Sequence, residues 1–477
     1  MVAELVLAVI ATVDGCIRLG RQALDTYRAY RDTDESLDDK VVVIEGLWAK
    51  LETQLTFLSK VSEHLDEKLA ESQINLLQKL HGKLVQVTSQ INLPASTHRR
   101  KLKHALVKKK LDELLVDMET WQARFDPTWF IITLIGNRVI DAELWESRRA
   151  DPAKKAFDAS PLHSMLALRH AIRPRSDNVE PTDRINLSIN LDSSGLKDAR
   201  ITPIPFSSAR VVFRRGSDKL LISETVHSLG DDDISHVKQS AEDLARKLKC
   251  VDSRTFSLLR CFGIVKQYDE SQRIKSMDMI YSAPKTRANP TSLRGLLLER
   301  KPVSVSAVVR IARQLVQSVS YVHACDFVHK NIRPESVLRQ ATCVQHRYIM
   351  QHDIYSLGVC LLEIGLWTSF VWYPENNDDA APVPGLGLGL ALSDTDFATI
   401  GAASRLQTKE HLVGLARKDL PPRVGDKYTD LVVVCLTCLD PGNTAFGSEQ
   451  ELLDEDGILV GVRFVEKILS KMADISV

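Results

Sequence analysis

Val328-His329-Lys330-Asn331-Ile332-Arg333-Pro334-Glu335-Ser336-Val337-Leu338 is the most informative segment of the C-terminal half. It follows a long amphipathic segment, Val303 to Ala324, and precedes a second distinctive run, Asp353-Ile354-Tyr355-Ser356-Leu357-Gly358. Its polar side chains are an imidazole, an ammonium, a carboxamide, a guanidinium, a carboxylate and a hydroxyl, at His329, Lys330, Asn331, Arg333, Glu335 and Ser336. The carboxamide of Asn331 cannot take up a proton as a carboxylate can. The stretch therefore has the look of a shaped loop that lacks a carboxylate base at position 331.

The surrounding composition is that of a soluble protein. The chain has 477 residues, enough for two or three domains with their own cores, and 44% of them are hydrophobic. Lys+Arg and Asp+Glu number 62 each, so any attraction to nucleic acid or membrane must be local. The eight cysteines are scattered and several sit in apolar runs, which suits buried thiols in a reducing compartment. Cys435 and Cys438 form a CxxC inside Val432-Val433-Val434-Cys435-Leu436-Thr437-Cys438-Leu439, with no second Cys or His pair nearby, and read as core. The opening segment, Val2 to Val13, is apolar but lacks a basic leader and is shorter than a membrane-spanning helix, so no secretion and no constitutive span are expected.

Residues 1 to about 145 carry four apolar seams with helical spacing. They read Val6, Ile10, Val13, Ile17, Gly20, Leu24, Tyr27; then Val41, Ile44, Trp48, Leu51, Leu55, Leu58; then Leu77, Leu80, Leu84, Val87, Ile91; then Val107, Leu111, Leu114, Met118, Trp121, Phe125. Alternating steps of three and four place each set on one helix face and predict an all-α bundle. A further helix is expected over Pro161 to Ile172, and a proline-containing linker over about 173–206. Strand-like runs follow at Val211 to Phe213, Leu220 to Ile222, Gly263 to Val265 and Met277 to Tyr281, with a helix between the second and third, Ser235 to Cys250. Gly385 to Leu390 reads as a flexible surface insert.

The order of strands, one helix, more strands and then helices is similar to that of a protein kinase. His329 to Leu338 resembles the kinase catalytic loop, H-R-D-L-x-x-x-N, and Asp353 to Gly358 resembles the opening of the central helix of the large lobe. The resemblance implies that Asp353 ties that helix to the loop backbone, an architectural role. The expected base position is Asn331 and the expected metal position is Ser336, which is neither placed nor polarised like an Asn ligand. No Gly-rich loop lies near Val211 to Gly216, Lys219 precedes its strand rather than ending it, and Glu242 is left with no partner Lys. No D-F-G follows Ser336, and only 22 positions separate Asn331 from Asp353, too few for an activation segment. Phosphoryl transfer rests on metal ions and placed cations, so these losses together imply a truncated, α+β pseudokinase.

In the N-terminal half, Ala3-Glu4-Leu5-Val6-Leu7-Ala8-Val9-Ile10 with Gly15-Cys16-Ile17-Arg18-Leu19-Gly20 resembles the first helix of the fungal HeLo, or prion-inhibition and propagation, domain of heterokaryon-incompatibility proteins. Glu119-Thr120-Trp121-Gln122-Ala123-Arg124-Phe125-Asp126-Pro127-Thr128-Trp129-Phe130 resembles a segment of the subgroup fused to kinase-like regions. The resemblance spans about residues 1–200 and implies membrane disruption and programmed cell death, by release of the first helix and oligomerisation. Leu5, Val6, Val9, Ile10, Val13 and Ile17 would engage the bilayer. Arg99, Arg100, Lys101, Lys103, Lys108, Lys109 and Lys110 form a cationic run that anionic headgroups would attract, at about 1 kcal/mol per basic residue. The run lacks interleaved aromatics, so no nucleic acid is expected.

The expectation is a multidomain chain: a HeLo-like bundle over 1–200 and a protein-kinase-like domain over 207–477. It would be a non-catalytic effector, cytoplasmic and membrane-associated on activation. Its partners would be an anionic membrane surface, an upstream signalling protein and further copies of itself, with no metal, cofactor or ATP required. Two alternatives stand beside it: an atypical Ser/Thr kinase, or one shortened by an incorrect splice assignment, and a cytosolic interaction scaffold.

Overall fold

The computed structural model describes the chain except chiefly residues 32–37, 92–112, 151–160, 173–187, 343–349, 375–381, 389–401 and 444–463. Packing divides it into two compact units, Met1–Leu166 and Ala167–Val477. The first is helical; the second combines helices with a five-stranded sheet.

Unit 1 is built on three long helices, α1 (Val2–Arg31), α2 (Asp38–Val61) and α3 (Glu67–Ile91), with α4 (Arg138–Ala150) following further on. All six apolar seam residues of α2 are buried, from Val41 to Leu58. In α1 five of the seven expected seam residues are buried, Val6, Val13, Gly20, Leu24 and Tyr27. Ile10 and Ile17 are half-buried, and Val9, Cys16 and Ala23 join the buried side. Val9 and Ile10, Cys16 and Ile17, and Ala23 and Leu24 each fit steps of three and four, so spacing alone does not fix the centre of the face. A Cβ on Gly20 would lie 1.8 Å from the Trp48 ring, so α1 and α2 meet where only glycine fits. Arg28 Nε bonds Glu45 at 2.7 Å, and Arg21 reaches Glu52, along the same antiparallel pair. Helical residues between 113 and 132 bring in Leu114, Met118, Trp121 and Phe125, all buried. Val107 and Leu111 lie outside the described residues. The helix α5 spans Pro161–Ile172, and the division between units falls inside it.

Unit 2 opens with strands β1 (Arg200–Pro203), β2 (Arg210–Phe213), β3 (Leu220–His227), β4 (Cys261–Tyr268) and β5 (Ile274–Ser282), in the order β1-β2-β3-β5-β4. All neighbours are antiparallel. The helix α6 (Ile234–Lys249) connects β3 to β4. On one sheet face Val212, Leu221, Val265 and Ile280 form a core covered by Leu196 and Ala199. The rows Glu224/Met279/Ile264 and Val226/Met277/Lys266 lie on the other face, where alternation along each strand puts them.

The expected linker over 173–206 is corrected at its C-terminal end. β1 pairs with β2 from Arg200↔Phe213 to Pro203↔Arg210. Before it, Asn190 bridges Ile264 in parallel, with Ile264 N–H donating to Ile189 O at 2.7 Å and Leu191 N–H to Ile264 O at 2.9 Å. A Cβ on Gly263 would sit 2.3 Å from Ile189 O, so that glycine admits the approach. Pro203, Pro205 and a polar sequence hide this edge strand from a reading by alternation.

The helical half of unit 2 contains α7 (Leu293–Glu299), α8 (Val305–Ala324), α9 (Met350–Leu366), α10 (Ala402–Asp419) and α11 (Asp426–Leu436). Ser292 and Ser304 cap α7 and α8 by accepting from Gly295 N–H and Ala307 N–H. α9 is central: Leu357, Leu361, Leu362 and Ile364 are fully buried, and a Cβ on Gly358 would lie 2.8 Å from Cys435 Cβ of α11. The unit also holds two short hairpins, β6/β7 (Val337–Leu338, Ala341–Thr342) and β8/β9 (Val371–Trp372, Val383–Pro384). The expected flexible insert begins directly after the second and is corrected as far as Leu388; Gly389 and Leu390 lie outside the described residues. Gly385 and Gly387 pack so tightly on the 369–371 backbone and its neighbours that Cβ atoms there would meet Ser369 O at 2.9 and 2.6 Å, and Leu388 is buried.

Candidate functional site

The loop at 329–338 is anchored from below by Asp353 in the first turn of α9. Asp353 Oδ2 accepts the His329 backbone N–H at 2.5 Å and faces His323 Nε2 at 3.0 Å. All three residues are at most 1% exposed. Burial pushes the Asp353 carboxyl up, but the bonds from His323 and His329 outweigh it and hold it below the usual carboxylate range. Asn331 N–H donates to His329 Nδ1 at 3.3 Å, so this ring nitrogen is an acceptor within the loop. His329 is thus a packing and backbone-bonding residue.

The other loop positions are engaged inward or exposed. The Ser336 hydroxyl lies 2.7 Å from Asn331 O and 2.9 Å from Arg333 O, and accepts from Arg333 N–H at 3.2 Å. This hydroxyl pins the loop backbone. Arg333 is exposed, and Lys330 lies outside the described residues.

A buried charge cluster that the sequence reading missed lies beside the loop. Arg294, on α7, bonds Glu335 through Nε at 2.8 Å and Glu363 through Nη1 at 2.5 Å. Ser369 Oγ accepts from the same Nη1 at 2.6 Å, and Glu363 Oε1 also accepts Phe370 N–H at 2.6 Å. Glu335 is pushed up by burial and pulled down further by Arg294, ending below its ordinary value. Glu363 is the reverse: burial exceeds the guanidinium's effect and leaves its carboxyl raised. The two carboxylates share one cation, and the better-solvated one takes more of the benefit. No local signal announces the cluster, because its partners stand 41 and 69 positions from Arg294.

On the sheet, the expectation that Glu242 lacks a Lys is corrected. Lys266 Nζ, on β4, bonds Glu242 Oε1 at 2.8 Å. Burial raises the Glu242 carboxyl, and the Lys266 contact overrides it and lowers it. The pairing is invisible to a search for Lys on β3, since β4 delivers the cation. On β3 the same face carries Glu224, which is buried and accepts from Ser208 Oγ at 3.1 Å. On the opposite face Asp278 gathers Arg210, Thr225 and Gln267, at 3.1, 2.6 and 3.2 Å.

In unit 1, Val6, Val9 and Val13 are buried in the bundle, while Leu5, Ile10 and Ile17 are half-buried. The cationic run from Arg99 to Lys110, which holds Arg100, Lys101, Lys103, Lys108 and Lys109, lies outside the described residues. The segment containing Trp121 and Asp126 docks through a polar cluster. Asp126 accepts from Lys50 at 2.7 Å and Gln54 at 3.0 Å, and Gln122 donates to Gln54 Oε1 at 2.8 Å. Aromatic contacts run alongside, Trp121 on Phe125 at 4.5 Å and Trp129 on Phe57 at 4.8 Å.

Among the described residues, no helix is long and apolar enough to cross a membrane, and no group of three or more His, Cys, Asp or Glu could hold a metal ion. Cys435 and Cys438 are both buried, and Cys438 Sγ lies 3.2 Å from Gln351 O. Burial pushes the Cys250 and Cys261 thiols up to about 12, which leaves them unreactive as thiolates at neutral pH.

No family model matches the chain. Part of it is similar to a serine/threonine-protein kinase, GIN4, of Saccharomyces cerevisiae: 34% identity over 76 residues, 16% of this chain. The chain spans only 6% of that kinase's length in this match.

Proposed function

We propose that this chain is a non-catalytic signalling effector in which a HeLo-like helical bundle acts on anionic membranes under the control of a kinase-like unit 2. One observation carries the reading of unit 2. Asp353 holds the 329–338 loop in place, while the side chains that would perform chemistry there are a carboxamide, Asn331, and a hydroxyl bonded into the loop itself, Ser336. The sheet supports it: β3 presents the buried Glu224, which would repel phosphate. The strand order, with α6 between β3 and β4, is consistent with a small kinase lobe.

In the proposed mechanism α1 leaves the bundle, copies of the chain associate, and the membrane is permeabilised. Withdrawing Val6, Val9 and Val13 from the core costs about 1.5–3 kcal/mol for each fully buried side chain, and burial of the same groups in lipid offsets it. The upstream signal reaches unit 2 through a protein partner; neither ATP nor a metal is required. The test is dye release from liposomes by the full-length protein, comparing anionic with neutral lipid. Release from anionic liposomes that falls when Lys108, Lys109 and Lys110 are changed together to Glu supports the reading. No release under any lipid composition sinks the executor role and leaves the interaction scaffold.

A second reading, an atypical kinase, is favoured by the partial similarity to a yeast serine/threonine-protein kinase. Magnesium-dependent phosphate transfer by the purified chain, lost on Lys266→Ala, would establish it.

A further inference from the structure

The turn between β1 and β2 leaves the sheet and reaches the helical half of unit 2. Ile204 N–H bonds Ala209 O at 3.1 Å and closes the turn at its base. At its tip Phe206 adopts φ 54°, in the left-handed region that disfavours any residue with a side chain. Its ring lies 5.1 Å from the Tyr373 ring, centroid to centroid. Pro205 O accepts from Ser292 Oγ at 2.8 Å, and that oxygen in turn accepts from Gly295 N–H at 3.1 Å to cap α7. Ser208 Oγ donates backward to Glu224 on β3. Tyr373 OH carries the connection onward, donating to Glu335 Oε1 in the loop at 3.0 Å.

We propose that this turn is an intramolecular clasp that holds the sheet shut against the helical half and couples its opening to the 331–338 loop. Two routes carry the coupling. One runs from Phe206 through Tyr373 to Glu335. The other runs from Pro205 through Ser292 to α7, where Arg294 N–H bonds Pro334 O at 3.1 Å. A turn needing only a positive φ would be served best by glycine, so the ring contact is what keeps a phenylalanine there. The inference uses the geometry of unit 2 alone and stands whether or not unit 1 acts on membranes.

The test is hydrogen exchange of the full-length chain, read on peptides covering 293–299, 331–338 and 426–436. Phe206→Gly removes the ring and relieves the backbone. Ser208→Asp sets a second carboxylate against Glu224. Each is expected to raise exchange about tenfold in the first two peptides and to leave α11 unchanged, as the loss of one aromatic pair or the addition of one repulsive pair would do. Phe213→Ala, which removes an exposed ring on β2, is the silent control. Unchanged or slower exchange in Phe206→Gly would mean that the residue only fills a strained turn, and overturns the clasp. So does faster exchange in all three peptides, or a response to only one of the two variants.

Discussion

Replacing Arg294 with Met isolates the energetics of the charge cluster. The guanidinium is the only cation bonded to Glu335 and Glu363 among the described contacts, and the Glu363 side chain is 2% exposed. Removing one partner of such a buried pair leaves an uncompensated charge, at a cost of about 3–5 kcal/mol. The loss also depends on pH. Burial already raises the Glu363 carboxyl with Arg294 present, and without the guanidinium it rises further. A carboxyl raised in the folded state binds its proton more tightly there than in the unfolded chain. Stability of the variant therefore falls as pH rises from just above the ordinary value of 4.5 toward neutrality. The assay is urea denaturation at pH 5 and at pH 7.5, roughly bracketing that window, with the unit 2 transition assigned by hydrogen exchange. The double variant Arg294→Met/Glu363→Gln keeps an acceptor for Phe370 N–H, removes the stranded charge, and should recover most of the loss at the higher pH. A cost below about 1 kcal/mol, or one equal at both pH values, would refute the account of a buried ionised cluster.

Asp353→Asn should weaken the loop's attachment by about 1.5–3 kcal/mol, the worth of hydrogen bonds to a charged group, and speed exchange at 329–338; protection equal to wild type would show that the loop holds itself. Because the Asp353 carboxyl is lowered on folding, its contribution is complete above its ordinary value of 3.8 and is lost as pH falls through the folded value, so acid unfolding of unit 2 should begin at higher pH in the Asn variant. Gly20→Ala drives a methyl into the Trp48 ring and should cost the bundle about 2 kcal/mol or more, visible as a lower melting temperature by circular dichroism; an unchanged melt would mean that α1 and α2 separate freely. Gln73 is fully buried with neither amide atom hydrogen-bonded among the described residues, so Gln73→Leu should stabilise unit 1 by about 1–3 kcal/mol, and a lower melting temperature would reveal a partner for that amide.

Much of the scaffold was legible because it is local. The α2 seam is buried residue for residue, and strands β2 to β5 fall where alternation placed them. The α1 seam is buried at five of its seven positions, and Ile10 and Ile17 fall short because the adjacent positions Val9 and Cys16 are equally apolar and fit the same spacing. What stayed hidden depends on partners distant in sequence. Arg294 meets Glu363, Glu242 meets Lys266 across a strand-to-helix crossover, and Phe206 meets Tyr373 across the unit. None has a spacing or composition that marks it. Phe206 offered the least signal, since its left-handed backbone is a demand of the folded turn rather than of the residue.

The parallel bridge from Ile189 to Leu191 along β4 has a mechanical consequence. Chain tension arriving from upstream of Ser188 meets the edge of the sheet before it meets β1. Pulled along the strand, the two bonds to Ile264 stretch together in shear; pulled sideways, they peel one after the other. The direction of a tug, and not only its size, therefore sets how readily force passes into the sheet of unit 2.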